Sequence, residues 1–312
     1  MRVRALVLAV AAALSPAAFA QDPAPAPRGE VGLRYWLSTG ETRRSHNAQA
    51  IDPTLGNPTS VLTYENLDAH VVEVYGRLNL AGNWFLKGNL GLGNITTGSF
   101  HDEDFNRGQV KFSDTTSSVP SGWIGYGTID IGRNEWTLRQ GRTTLGAFIG
   151  YSQWTESVDG YGVTDHLGFT GDTPRGVRAI TNTVTWRSLR VGLAASLGLG
   201  SRTQLSADLA FVPYARVRNE DSHYLRTDPS NPFFLGPVPN IIIEGEGRGA
   251  QLDAELRHTI APRTELGIGV RYWYIKATKG TRTVPAFPGA ETPLVELYSL
   301  RTGVTASFLH TW

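Results

Sequence analysis

The sequence predicts an all-β protein, a ten-stranded antiparallel transmembrane outer-membrane β-barrel with long extracellular loops. Three observations predict this fold. Segments of alternating apolar and polar residues recur, short turns and long polar connections join them alternately, and the chain has 35 glycines but one methionine. Alternate residues of a membrane-spanning strand face lipid and lumen, so their hydropathies average out. A soluble β-sandwich is the alternative, but its strands would be shorter and its inward face more apolar.

The first 29 residues predict export from the cytoplasm. Two arginines precede an apolar run at 5–14, and an Ala-x-Ala motif ends at Ala20. These features are typical of a secretory signal with its cleavage site, and the apolar run is too short to span a bilayer as a helix. We expect a signal peptide at 1–20, a Pro/Ala-rich linker at 21–29 and the barrel at 30–312.

The composition excludes several classes of protein. The chain has no cysteine, so no disulfide can stabilise it after export. Its net charge is +1, whereas a nucleic-acid partner would require a basic stripe. After the signal there is no run of 18 apolar residues, which excludes a membrane-spanning helix. Stability must therefore come from a large core or from closure of a barrel.

Ten strands can be assigned in chain order. A first strand at 31–40 and a last strand at 300–312 flank four hairpins, and an even number of strands puts both termini on the periplasmic side. The hairpins are 70–80 with 84–92, 122–132 with 143–154, 179–199 with 203–217, and 250–260 with 265–278. Five outer connections remain, at 41–61, 99–121, 157–178, 218–248 and 279–295. Polar loops of this length on one rim usually carry function.

Charged residues on the predicted inner face suit a filled lumen. A ten-stranded barrel is narrow, and side chains of both signs would close it, which favours a plug over the alternative of a small pore. These residues are Arg34, Glu73, Arg77, Asp253, Glu255, Arg257 and Arg271. Tryptophans near strand ends are expected in the interfacial girdles of the membrane, at Trp84, Trp136 and Trp273.

The stretch HDEDFNR after the third strand is an unusual cluster of charge. Asp102, Asp104 and Asn106 offer oxygen atoms at alternate positions, as a calcium loop does. The helical calcium-binding loop also requires Gly at its sixth position and Glu at its twelfth, where this chain has Arg107 and Ser113. That motif is therefore absent, and an irregular calcium site and a solvated loop stay open as alternatives.

A second stretch, DSHY, follows the seventh strand. Asp221 and His223 are two residues apart, so on an extended segment their side chains point to the same side. A carboxylate beside an imidazole can set its tautomer and raise its basicity, as a general base acting on water requires. The third and seventh strands lie four strands apart, so Asp102 and Asp104 would face Asp221 and His223 across one mouth. Two such pairs can hold and deprotonate a water molecule.

At these positions the sequence resembles the omptins, outer-membrane endopeptidases of Gram-negative bacteria. The segments DEDF and DSHY are similar to the two motifs of that family, and FIGY, IAPRTEL and ATKGTRT extend the resemblance over most of the mature chain. The resemblance implies that His223 is the general base, that Asp221 orients it, and that Asp102 and Asp104 hold the water and stabilise the oxyanion. It implies neither a metal nor a covalent intermediate.

The resemblance also implies cleavage near basic residues, through an acidic substrate pocket. Glu41 lies near the first acidic position of that pocket in the family. Asn219 stands at the second position, with Glu220 beside it. We therefore expect Glu41 and Glu220 to bind substrate, with a specificity that has changed from that of the family.

Other family signatures are kept only in part. The segment FSDTTSSV keeps one acidic residue, Asp114, but lacks the His and Pro that the family has there. At the lipopolysaccharide contact, Tyr151 is kept, whereas Gln153 and Thr155 replace Glu and Arg. No cofactor is expected, and lipopolysaccharide stays open as an accessory lipid whose contact motif is partly kept.

The sequence thus predicts an omptin-like aspartyl-type endopeptidase at the cell surface, acting through a water activated by Asp and His. The expected partners are peptide or protein substrates and outer-membrane lipid, without nucleic acid. A closed barrel has no free edge, so a monomer is expected. The alternative is a non-proteolytic surface barrel of the same fold, an adhesin or interaction protein, and the loss of flanking signatures motivates it.

Overall fold

The computed structural model describes residues 28–138 and 142–312. The predicted signal peptide, 1–20, lies outside the described residues, and so does the linker apart from its end, where Gly29 begins the first strand. Two single-turn 3₁₀ helices occur, at Ala81–Asn83 and Tyr224–Arg226. In the described ranges, no helix is long and apolar enough to cross a membrane.

Ten antiparallel strands form one closed ring, as the sequence predicts. Each strand pairs with its neighbours in the chain, and the first strand also pairs with the last, which closes the barrel. The strands are β1 (Gly29–His46), β2 (Ser60–Asn79), β3 (Trp84–Asn106), β4 (Val110–Leu138), β5 (Thr143–Asp165), β6 (Thr173–Gly198), β7 (Thr203–His223), β8 (Ile241–Ala261), β9 (Thr264–Thr283) and β10 (Thr292–Thr311).

The strands extend further than the hydropathy pattern indicates. The segments between strands on the outer rim are only 47–59, 107–109, 166–172, 224–240 and 284–291, so much of each predicted loop is strand. Inter-strand hydrogen bonds continue past the apolar belt, where outward residues no longer need to be apolar. The predicted long loops are corrected in this respect, and the acidic stretch at Asp102 lies on β3.

The β3 to β4 turn shows how tightly these extended strands connect. Arg107 and Gly108 have φ angles of 53° and 69°, in the left-handed region. Glycine adopts this region without steric cost, which lets the chain reverse within three residues. The Gly108 amide donates to the Leu55 carbonyl at 3.3 Å, so the turn packs against the segment 47–59.

An apolar belt surrounds the outer face of the barrel. Its side chains alternate with inward residues along every strand, as in Leu33, Leu90, Ile129, Ile149, Leu209, Ile268 and Val304, all of which are exposed. Trp84 and Trp136 are also exposed, as expected for an interfacial girdle. The prediction that Trp273 lies in the girdle is wrong, because this residue is buried inside the lumen. It is two residues from the inward Arg271 and therefore shares its face.

Aromatic rings fill the middle of the lumen. Trp273 lies at their centre, with ring centroids 4.8 Å from Tyr126, 5.3 Å from Trp36 and 5.7 Å from Trp154. Gly91 makes room for this layer, because a Cβ at that position would overlap the Tyr126 ring. The layer separates the outer mouth of the barrel from its periplasmic half.

Charged pairs lie beside the aromatic layer and extend from it toward the periplasmic end. Glu73 accepts hydrogen bonds from Arg34 Nη1 at 2.6 Å and from Arg271 Nη1 at 2.7 Å. Arg257 Nε donates to Glu255 Oε2 at 2.6 Å. These residues are among the inner-face charges predicted from the sequence. These charges neutralise one another, and with the aromatic layer they form the floor beneath the outer mouth. A cavity of about 540 Å³, lined by Arg34, Glu255 and Arg257, remains on the other side of this floor.

Candidate active site

An acidic pair on β3 and a basic residue on β1 lie at the rim opposite Gly29 and Trp312. Because side chains alternate along a strand, Asp102 and Asp104 on β3 point inward while Glu103 points outward. Asp102 lies beside Leu62 of β2, and Leu62 lies beside Arg44 of β1. The predicted acidic pair and a basic residue therefore share one end of the lumen.

The two aspartates of this pair titrate as a unit. Burial, and then the charge of Asp104, raise the pKa of Asp102 to about 7, against the opposing charges of Arg226 and Arg44. Burial also raises the pKa of Asp104. Ser60 Oγ lies 3.4 Å from Asp102 Oδ1 and donates to it. Two neighbouring carboxyl groups in a buried site do not both ionise readily, so the pair keeps a proton below about pH 7.

The second pair lies at the end of β7. Asp221 and His223 both point inward and are buried, with His223 Nε2 3.1 Å from Asp221 Oδ2. A carboxylate oxygen accepts, so Nε2 carries the proton of the neutral imidazole. The lone pair on Nδ1 is then free to accept a proton from another molecule.

Three further donors surround the Asp221 carboxylate. Arg44 of β1 forms an ion pair with Asp221 Oδ2. Asn182 Nδ2 of β6 donates to Oδ1 at 3.0 Å, and the Tyr64 hydroxyl of β2 donates to the same oxygen at 3.4 Å. Together with His223, these contacts hold the carboxylate in one orientation and compensate its burial.

His223 is held through its main chain as well as its ring. The His223 amide donates to Asn240 Oδ1 at 2.9 Å, and Asn240 Nδ2 donates back to the His223 carbonyl at 3.0 Å. Burial, and then the charges of Arg226, Arg44 and Arg282, lower the pKa of His223 well below its usual value. The imidazole is therefore neutral at pH 7, as a proton acceptor must be.

Arg44 and Tyr64 connect the acidic pair to the Asp-His pair. Arg44 pairs with Asp221, and its charge also lowers the pKa of Asp102. Tyr64 bonds to Asp221, and burial together with the Asp102 charge raises the pKa of its hydroxyl. The Tyr64 ring stacks on Phe100 with centroids 4.5 Å apart. Both pairs therefore face one cleft with an aromatic wall.

The expected acidic substrate pocket is not formed by Glu41 and Glu220, which corrects the prediction. Glu41 lies on the outer face of β1, where its carboxylate bonds to the Tyr298 hydroxyl. Glu220 lies on the outer face of β7, where it accepts from Arg218 Nε at 2.8 Å. Both strands continue through these residues, and each glutamate has the outward parity of its strand. Neither carboxylate reaches the cleft.

Several cleft residues were not predicted from the sequence. Asn182, Tyr64 and Asn240 carry no motif, and only the tertiary structure brings them to Asp221 and His223. Arg44 had a usable signal: it continues the inward alternation of Trp36 along β1. That alternation was not extended beyond residue 40, because the polar sequence there predicts a loop.

One group of possible metal ligands lies outside the cleft. Among the residues that the structure describes, His101, Glu103 and Asp114 present ligand atoms within 4.8 Å of one another on the outer face of β3 and β4. Lys111 Nζ lies 2.5 Å from Glu103 Oε1 and 2.8 Å from Asp114 Oδ2. The Lys111 ammonium group bridges these two carboxylates and offsets part of their charge.

Comparisons with known proteins agree with the fold and with the family that the sequence resembles. A sequence model described as the omptin family matches residues 60–284. The outer membrane protease OmpT from Escherichia coli has a similar structure, with a TM-score of 0.69 and 15% identity over 91% of this chain and 96% of that chain. The translocator domain of the autotransporter NalP from Neisseria meningitidis aligns with a TM-score of 0.37 and 9% identity, over 90% of this chain and 88% of that chain. No curated protein sequence matches the chain.

Proposed function

The chain belongs to the omptin family, and we propose that it is an outer-membrane endopeptidase of the aspartyl type that hydrolyses peptide bonds with an activated water. One observation carries the proposal most strongly. Two pairs of side chains, Asp102 with Asp104 and Asp221 with His223, face the same cleft, and Arg44 interacts with both pairs.

In this mechanism His223 is the general base. Its Nε2 proton is held by Asp221, so Nδ1 takes a proton from the water as the oxygen attacks the scissile carbonyl. The imidazolium that forms is stabilised by the adjacent Asp221 carboxylate. The same proton then passes to the leaving amine, so the base is regenerated without a covalent intermediate.

Asp102 and Asp104 act on the other side of the reacting water. With one proton shared between them, one carboxyl oxygen accepts a hydrogen bond from the water and the protonated one can donate to the developing oxyanion. Burial strengthens both contacts, because few solvent dipoles compete with them. The shared proton is therefore part of the working state.

The cleft opens at the rim opposite the chain ends, where Gly29 and Trp312 hydrogen bond to each other. For a barrel inserted with periplasmic termini, this rim is the cell surface, and the substrates are peptides or proteins met there. Lipopolysaccharide enters the proposal as an accessory lipid at the outer face. Glu41 and Glu220 point away from the cleft, so neither can select basic residues at the cleavage site.

The test is cleavage of an unbiased peptide mixture by the purified protein. The protein, folded in detergent with and without lipopolysaccharide, is incubated with peptides from a digested proteome, and new termini are identified by mass spectrometry. We expect wild-type cleavage, and a loss of at least about 100-fold in His223→Ala and Asp221→Asn, since general acid–base catalysis contributes at least that much.

Ser222→Ala is the matched control, because Ser222 lies between the two proposed catalytic residues but has the outward parity of β7. It should cleave as the wild type does. Absence of cleavage by folded wild-type protein in both lipid conditions would reject the protease and favour a non-proteolytic surface barrel. Cleavage unchanged in His223→Ala would reject the proposed general base.

A further inference from the structure

We propose that the cleft selects peptides with a carboxylate side chain adjacent to the scissile bond. The inference rests on the proposed protease function and names the substrate class of the same site. It starts from three guanidinium groups, those of Arg44, Arg226 and Arg282, which converge on the cleft from three parts of the chain.

The strand register places two of these groups at the cleft. Arg44 lies in the row that contains Leu62 and Asp102. Arg282 of β9 lies beside Ile243 of β8, which in turn lies beside the inward Asn219 of β7. Each pairing moves one strand around the barrel at about 5 Å, so Arg282 is two strands from β7.

Arg226 completes the group from the turn that follows β7. It lies in the 3₁₀ helix Tyr224–Arg226, three residues after His223, and its guanidinium stands 6.0 Å from the Phe233 ring centroid. Its charge acts to lower the pKa of Asp102, Asp104 and His223. The charge of Arg44 has the same effect on Asp102 and His223, and that of Arg282 has it on Asp104 and His223. The three cations therefore lie around the two pairs of proposed catalytic residues.

The charges in the cleft do not balance. Asp221 neutralises Arg44, and Asp102 and Asp104 carry one negative charge between them when they share a proton. His46 and His223 are neutral because burial lowers the pKa of each well below its usual value. Below about pH 7, where this pair keeps its proton, three positive charges thus face two negative ones, and one more carboxylate would restore neutrality.

Unused donors at the same place indicate a hydrogen-bonding ligand. The Nε atoms of Arg44 and Arg282 are both buried without a hydrogen-bond partner in the described part of the chain. Burying such a donor is costly unless a partner arrives. Guanidinium groups bind carboxylates through charge-assisted hydrogen bonds, whereas an incoming Arg or Lys side chain would meet three like charges.

The Arg282 guanidinium is buried beside two like charges. Burial, and then the charges of Arg44 and Arg226, lower the pKa of Arg282 to about 10. A substrate carboxylate beside it would relieve that repulsion. The favourable interaction exists only for an acidic side chain, so Glu should be distinguished even from Gln, which has nearly the same shape.

The first experiment measures binding without cleavage. Three fluorescent peptides share one sequence except for two central residues, which are both Glu, both Gln or both Arg. They are titrated into His223→Ala protein and followed by anisotropy. We expect the Glu peptide to bind at least about tenfold more tightly than the Arg peptide, because like charges across an interface are strongly disfavoured. Arg-peptide binding that equals or exceeds Glu-peptide binding overturns the inference.

Charge removal identifies the residues responsible. In the same His223→Ala background, Arg282→Gln and, separately, Arg226→Gln should each reduce the Glu over Gln preference at least about threefold, by loss of one nearby cation. Arg216→Gln is the matched control, because Arg216 is exposed on the outer face of β7. An equal reduction in the control, or no reduction in either cleft variant, contradicts the proposed site.

Wild-type cleavage of the same peptides separates this inference from the protease function. Preferred cleavage of the Glu peptide supports both. Preferred cleavage of the Arg peptide overturns the acidic preference and leaves the protease standing. A Glu preference in binding, with no cleavage of these peptides or of the proteome mixture, rejects the protease and retains the carboxylate site.

Discussion

Arg44 on the first strand forms a buried ion pair with Asp221 on the seventh, across the mouth of the barrel. The pair is formed by residues 177 positions apart in the chain, and only the closed ring brings them together. This ion pair links Arg44 to the protonation of His223, because the same Asp221 oxygen accepts a hydrogen bond from the imidazole. Arg44 is thus a positioning residue for the proposed base.

Removal of this cation should alter the pH dependence of cleavage. In Arg44→Gln the pKa of His223 should rise, because one charge that lowers it is gone and Asp221 is no longer compensated. The acidic limb of kcat/KM against pH should therefore move to higher pH, by about one unit or more. Arg43→Gln is the control, since Arg43 pairs with Glu296 on the outer face. An unshifted acidic limb in Arg44→Gln would contradict this role.

The alkaline limb of the wild-type profile should report the shared proton. The pKa of Asp102 is raised to about 7, so the pair holds a proton below this pH and loses it above. If the proton is needed for catalysis, kcat/KM should decline with an apparent pKa near 7. Steady-state rates between pH 4 and 9 in one ionic strength measure it. A rate still rising from pH 7 to 9 would show that the doubly ionised pair is active.

The same raised pKa predicts how stability depends on pH. The folded protein keeps the Asp102 proton up to about pH 7, whereas the unfolded chain loses it near pH 4. The folded state binds more protons in this window, so its stability decreases as pH rises from about 4 to 7. Asp102→Asn removes this dependence and should unfold at a higher temperature than wild type at pH 8.5.

At pH 3.5 the Asp102→Asn protein and the wild type should unfold at similar temperatures, because the carboxyl is then protonated in the folded protein and mostly protonated in the unfolded chain. Circular dichroism in detergent measures both transitions. Glu103→Gln is the control, since Glu103 points outward and pairs with Lys111. A stabilisation of Asp102→Asn that is the same at both pH values would show a packing effect rather than a charge effect.

The lumen network should carry a large share of barrel stability. Glu73 is fully buried and accepts from Arg34, Arg271 and Tyr126. In Glu73→Gln two guanidinium groups lose their shared anion, and breaking a buried pair costs about 3–5 kcal/mol. Urea unfolding in lipid vesicles measures the change.

The control for the lumen is Glu135→Gln, because the exposed Arg133–Glu135 pair, 3.7 Å apart, is worth about 0–1 kcal/mol. Equal stability of the Glu73 and Glu135 variants would show that the lumen charges are compensated by water. The Glu73 variant should also remain non-conducting in planar bilayers, since the aromatic layer at Trp273 is intact.

Much of the fold could be predicted because side chains of a barrel strand point alternately to the lipid and to the lumen, which gives the sequence a period of two. The alternation of Leu33 with Arg34, and of Val270 with Arg271, gives the lipid and lumen faces without any long-range information. The same parity puts Trp273 inward beside Arg271, so its assignment to the girdle was avoidable. Strand ends were harder, because hydropathy changes at the edge of the membrane while the hydrogen-bond ladder continues.

The candidate site was predictable where a motif keeps its members close in the chain. Asp102 and Asp104, and likewise Asp221 and His223, share a face because each pair is two residues apart. Glu41 was expected at the cleft because it lies near the first acidic position of the substrate pocket in the family. In the continuous strand it has the opposite parity to Arg44 and therefore faces outward.

The number of strands, their faces and the two pairs of proposed catalytic residues could be predicted from the sequence, since each depends on spacing within one strand or hairpin. The surroundings of those pairs depend on the tertiary structure. Closure of the ring sets the register between strands distant in the chain, and this register brings Arg44, Asn182 and Arg282 to the cleft. The sign of the charge in the cleft is a property of that closure, because it is the sum over residues from β1, β3, β7, β9 and the turn after β7.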